Sequence, residues 1–134
     1  MGAGEWEHPR IEVWMHAFSF ARRVVEHALV EANGFVFVAG QVGSLPGEHK
    51  AAPGGIVPET RAMLDNVGRL LRAAGLDYGD VVKCTVYLRD FTEFAAMNTV
   101  YREYFPTEPP TRATVGVTAL AEDFRVEIEV LAAR

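Results

Sequence analysis

The sequence predicts a two-layer sandwich of the α+β or α/β kind, with helices long enough to cover one face of a sheet. Three observations carry that expectation. Short runs rich in β-branched and aromatic residues read as strands, two longer segments repeat apolar residues at helical spacing, and Pro or Gly punctuates the helix ends. In chain order they give strands, a helix, a strand, a helix and two final strands.

FVFVAG, residues 35–40, reads as a strand, preceded by Asn33-Gly34, a dipeptide able to turn through positive φ. Upstream, residues 17–32 fit either a strand hairpin or a helix, because Ala17, Phe20, Ala21, Val24 and Ala28 share a helical stripe. Periodicity leaves both open. Residues 42–57 hold a Gly/Pro-rich loop, VGSLPGEHKAAPGG and its exit, of a length that is often functional or mobile in compact domains.

Pro58 is expected to open the first long helix, where its missing N–H costs nothing, and Gly75 to close it. Between them Met63, Val67, Leu70, Leu71 and Ala74 form a core-facing stripe. VVKCTVYL, residues 81–88, reads as a mostly buried strand. Asp90 with Glu93 resembles a capping box opening a helix that turns Phe94, Met97, Tyr101 and Phe105 inward until Pro106, with Asn98 beside the stripe. Two strands follow, at about residues 111–117 and 125–132. No internal repeat, low-complexity tract or linker divides the chain, so residues 1–134 read as one domain in which 1–15 form a leader segment.

Composition narrows the function classes. With 49% hydrophobic residues in 134, the chain can bury a core without covalent staples. The net charge of −5 repels a phosphate backbone, and no basic cluster exceeds Arg22-Arg23, so nucleic acid is disfavoured. No apolar run approaches the ~20 residues of a membrane span, and the N-terminus lacks the basic and apolar regions of a signal peptide. Its Met-Gly start is not a myristoylation signal, since Trp6 stands where Ser or Thr is needed. A cytoplasmic location is expected. The lone Cys84 lies inside an apolar strand and reads as a small core group; His8, His16, His27 and His49 lack paired metal spacing.

The unusual feature is a pair of charges on the final strands. Along TRATVGV, Arg112, Thr114 and Gly116 alternate with Ala113, Val115 and Val117; along RVEIEVLA, Arg125, Glu127 and Glu129 alternate with Val126, Ile128 and Val130. If the apolar sets pack under the helices, Arg112 and Glu127 both project from the uncovered face. A solvated cross-strand ion pair, worth only ~0.2–1 kcal/mol, is the bland account. The sharper one is a carboxylate-binding Arg beside a carboxylate that handles water.

The stretch AGLDYGDVVKCTVYLRDFTEFAAMNTVYREYFPTEPPTRATVGV, with VEIEVLAA, GFVFVAGQVG and the Leu64-Asp65-Asn66 triplet, resembles the Rid (RidA/YjgF-like) family of enamine/imine deaminases. The resemblance spans about residues 33–132. It implies an α+β two-layer sandwich of chorismate mutase-like type, with a mixed sheet covered on one face by two helices. It also implies a homotrimer with active sites in the clefts between subunits. Arg112 then matches the family's carboxylate-gripping Arg, and Glu127 the Glu that positions and activates water. Asn98, Thr114 and Gly40 fall at substrate-binding positions, and Phe20 is one of two candidates, with Glu26, for a pocket-closing aromatic position. The implied reaction is hydrolysis of a small carboxylate-bearing 2-imino or 2-enamino acid to a 2-oxo acid and ammonia, with no metal or organic cofactor.

Several residues depart from the commonest family form. Ala39 stands where a hydroxyl residue is usual, Thr114 where Cys is frequent and Gly116 where Glu is frequent. Alternatives to the deaminase reading are therefore a larger imine or enamine substrate in a specialised pathway, or a metabolite-binding module without turnover. An endoribonuclease is a third, which the acidic charge opposes.

Overall fold

The computed structural model describes residues 28–134. Of the two alternatives left open upstream of Asn33-Gly34, the structure takes the strand: β1 (Leu29–Ala32) and β2 (Phe35–Val42) flank Asn33 and Gly34, whose φ angles of 52° and 81° give the doubly left-handed turn that matches strand twist. The end of the ambiguous segment is thus strand, and its earlier part, with Phe20, lies outside the described residues.

The remaining elements are α1 (Ile56–Ala73), β3 (Val81–Leu88), α2 (Phe94–Tyr104), β4 (Thr111–Gly116) and β5 (Val126–Ala133). They build one five-stranded mixed sheet in the order β1-β2-β5-β3-β4. Only β3 and β4 run parallel, and α2 supplies the crossover that a parallel pair requires. The two last strands are not neighbours, although a short connection joins them: β3 lies between, pairing with β4 on one side and β5 on the other.

Both helices pack on one sheet face. There Val36, Cys84, Val86, Leu88, Val126 and Ile128 meet Met63, Leu64, Val67, Leu71, Met97 and Val100, all essentially solvent-free. The opposite face keeps large apolar groups exposed, with Phe37 at 49% and Phe35 at 43%.

Local chemistry explains the element ends. α1 starts two residues before Pro58, from Gly55 at φ 95°, so Pro58 is the third helical residue, still among those whose N–H has no helical partner. Gly75, at φ 79°, closes it in a Schellman motif: Leu76 N–H donates to the Leu71 carbonyl at 2.8 Å and Gly75 N–H to Arg72 at 3.0 Å. Gly68 is required mid-helix because a Cβ there would lie 2.1 Å from the Tyr78 hydroxyl, which donates to the Leu64 carbonyl. The expected capping box at Asp90 is only half formed. Asp90 accepts from Thr92 N–H at 3.0 Å and caps a short 3-10 turn, Phe91–Glu93, ahead of α2. The Glu93 carboxylate turns away to Arg125, at 2.8 Å. The Gly/Pro-rich loop is pinned where it leaves the sheet, since Asn66 Nδ2 donates to the Val42 and Ser44 carbonyls and Ser44 bridges Ala51.

Candidate active site

Arg112 sits opposite Cys84 in the β3–β4 ladder, and paired residues share a face. Cys84 is fully buried under the helices, so Arg112 belongs to the helix-covered side. Its surroundings agree. The guanidinium carbon lies 4.4 Å from the centroid of the Tyr101 ring and 5.5 Å from that of Phe94, and Nη1 donates to Asn98 Oδ1 at 2.7 Å. Three α2 residues, spaced to share one side of the helix, therefore fix one cation. Each ring contact is worth roughly 0.5–2 kcal/mol depending on desolvation. One nitrogen is committed to Asn98; the remaining donors of the fork are left for an anion.

Thr114 follows on the same side of β4, opposite Val86, and its buried Oγ1 has no partner among the described residues. The Tyr101 hydroxyl likewise sits beside the Cys84 thiol without a bond of ordinary geometry. Burial pushes the thiol up to about 11, so Cys84 behaves as the inert core group its sequence setting predicts.

Glu127 pairs with Tyr87 across β5–β3, and both face away from the helices. Burial first, and the neighbouring Glu129 second, raise its pKa above the ordinary carboxylate value. No described residue offers its carboxylate an ion pair. Gly40 makes room for it: a Cβ there would lie 2.3 Å from Glu127 Oε2. A bulge between Val38 and Gln41 sets two residues, Ala39 and Gly40, against Glu129 and brings the Gly40 backbone to this spot. Glu129 is occupied by the Tyr87 hydroxyl at 2.7 Å, which leaves Glu127 as the unengaged carboxylate of the pair.

The expectation that Arg112 and Glu127 share the uncovered face is therefore corrected. They occupy opposite faces of the sheet. The alternation along β4 was read from its valines, but β4 is an edge strand whose Ala113 and Val115 are exposed, and Arg112 takes the inward place because α2 offers it rings and an amide. Asn98, Arg112 and Thr114 form one group beneath α2; Gly40 and Glu127 form another on the open face. Near the second group the open face holds a shallow concavity of about 420 Å³, lined by Phe37, Ala39, Thr85 and Glu129 among others.

Three contributors escaped sequence reasoning. Phe94 and Tyr101 read as inward-facing core residues, and nothing in helical spacing distinguishes a ring that packs on Leu from one that packs on a guanidinium. Glu59, at 1% exposure, was also missed: its Oε2 accepts from the backbone N–H of Arg125 at 2.6 Å and of Val126 at 3.3 Å, just ahead of Glu127. His49 is exposed in its loop. Among the described residues no group of three or more His, Cys, Asp or Glu is placed to hold a metal ion, and no helix is long and apolar enough to cross a membrane.

Residues 17–134 match the family model described as Endoribonuclease L-PSP. The chain is 44% identical over 97 residues to a 2-iminobutanoate/2-iminopropanoate deaminase of Capra hircus, covering 72% of this chain and 71% of the goat protein. Among solved structures, Escherichia coli TdcF with bound serine superimposes with a TM-score of 0.75 at 35% identity, over 80% of this chain and 86% of that one. A putative endoribonuclease from Thermotoga maritima superimposes with a TM-score of 0.76 at 33% identity, over 80% and 84% of the two chains.

Proposed function

This chain belongs to the Rid family, matched by the model described as Endoribonuclease L-PSP, and from that premise we propose that it is a cofactor-independent imine/enamine deaminase. Its substrate is a 2-imino or 2-enamino acid, and the site is assembled between protomers. The observation that carries the reading is the separation of the two polar groups. In one protomer Arg112 and Glu127 lie on opposite sheet faces, so a substrate gripped by the first reaches the second only in a neighbouring protomer. The exposed apolar face around Val30, Phe35 and Phe37 supports an assembly in which these faces pack together, as in a homotrimer.

In this scheme the free donors of Arg112 take the substrate carboxylate as parallel N–H bonds, and Asn98 holds the fork in place. Glu127 of the adjacent protomer, over Gly40, takes a proton from water as the water oxygen bonds to the C=N carbon. The nitrogen receives that proton, giving a carbinolamine. Glu127 then takes the hydroxyl proton and returns it to the amine nitrogen as the C–N bond breaks, so that the nitrogen leaves as ammonia and the carboxylate is restored. A 2-imino acid and water become a 2-oxo acid and ammonia. A raised carboxylate pKa suits a group that must both accept and return a proton, a role worth roughly 10²–10⁴-fold in rate.

RNA cleavage, the activity in the family model's description, finds less support: the net charge is −5 and Arg112 is folded against two rings. The test is ammonia release from 2-iminopropanoate generated in situ by an amino-acid oxidase. Release above the spontaneous rate, lost in Glu127→Gln, supports the reading; tight carboxylate binding without release makes the protein a binding module.

A further inference from the structure

The residues beside Arg112 also speak to which imine is taken. Phe94 has two partners. One side carries the Arg112 guanidinium, at 5.5 Å, and Phe91 stacks on the ring at 5.4 Å between centroids and 17° between planes. Phe91 itself is 50% exposed, the most open large apolar group among the described residues. Across from it stands Gly116, on the same side of β4 as Arg112 and Thr114.

Gly116 differs from the glycines that the fold requires. A Cβ at Gly40, Gly43 or Gly68 would come within 2.3 Å of another atom, whereas at Gly116 the nearest contact is Phe91 Cδ1 at 3.6 Å, an ordinary van der Waals distance. Its φ is not in the left-handed range either. Neither packing nor backbone demands glycine there. Its effect is to leave the Phe91 ring uncovered, one ring away from the cation.

From this we propose that Phe91, Phe94 and Gly116 form an apolar ledge that selects 2-imino acids with an aryl side chain. The proposal rests on the deaminase reading and deepens it. A carboxylate on Arg112 places the next few carbons of the substrate within reach of the stacked pair. An aryl group gains ring contact there that a methyl group cannot.

The test compares hydrolysis of the imines that an L-amino-acid oxidase makes from phenylalanine and from alanine. Ammonia is followed for wild type, Phe91→Ala and Gly116→Glu. The expected wild-type kcat/KM is higher for the phenylalanine-derived imine. Removing the ring, or covering it from residue 116, is expected to lower the ratio of the two values by roughly 10-fold, the scale of a lost hydrophobic subsite contact. Calorimetric binding of phenylpyruvate against pyruvate is expected to follow the same order, and Gly116→Ala, which meets nothing closer than 3.6 Å, serves if a larger change disturbs folding. A wild type that prefers the alanine-derived imine, or a ratio unmoved in the variants, overturns the ledge while leaving the deaminase reading intact. Absence of turnover on both imines removes the deaminase reading and the ledge with it.

Discussion

Asn98 Oδ1 accepts from Arg112 Nη1 at 2.7 Å, so the direction of the cation is set by helix α2 and not by its strand neighbours. Asn98→Ala is expected to raise KM about 10-fold with a smaller effect on kcat, since it removes one charge-assisted bond of roughly 1.5–3 kcal/mol but leaves both rings in place. Steady-state kinetics on an oxidase-generated imine check this. Arg112→Lys is expected to be the more damaging change, because an ammonium cannot give the planar fork or stack between Phe94 and Tyr101.

Glu127→Gln is expected to lower kcat by about 10²–10⁴-fold without lowering thermal stability. The sign follows from its raised pKa: the native state holds the proton more tightly than the unfolded chain, so the ionised carboxylate disfavours folding as pH rises through the native value. A neutral amide removes that cost. For the wild type, the acid limb of kcat/KM against pH is expected to have an apparent pKa above 4.5, the ordinary value for a glutamate. A limb at or below that value contradicts Glu127 as the base.

Gly40→Ala and Gly43→Ala separate function from stability. At residue 40 the added methyl meets the flexible end of Glu127, at 2.3 Å, so the carboxylate moves and activity falls while the fold survives. At residue 43 it meets the Glu59 backbone carbonyl at 2.2 Å, which cannot yield without shifting α1. That variant is expected to lose roughly 1–3 kcal/mol of stability. Denaturant melts beside turnover assays decide both.

Much of this arrangement was legible in the residues. The turn at Asn33-Gly34, both helices, the glycine close at Gly75 and the four strands after that turn follow from turn chemistry and periodicity, whereas β1 did not, because its residues fit a helical stripe equally well. The facing of Arg112 did not, because alternation gives two sets of side chains but not which set meets a helix; on β4 the polar set does. The insertion of β3 between β4 and β5 was equally hidden, since a short connection fixes how far the chain travels and not which strand it pairs with. Phe20 belongs to residues outside those the structure describes and stays an expectation.

Glu59 gives a prediction about stability alone. Burial raises its pKa, and the backbone N–H groups of Arg125 and Val126 only partly offset this. The native state therefore favours the protonated form, and wild-type stability is expected to decline relative to Glu59→Gln as pH rises above the ordinary glutamate value of 4.5. Urea melts of both proteins at pH 4.5 and pH 7 check the direction.

The most direct test of a site shared between protomers mixes two dead proteins. Arg112→Ala and Glu127→Gln chains, co-expressed or refolded together in equal amounts, are expected to regain about one quarter of wild-type ammonia release, the fraction of inter-protomer sites that draw an intact Arg112 from one chain and an intact Glu127 from the next. Mixed assemblies with no activity above that of the separate variants contradict the account.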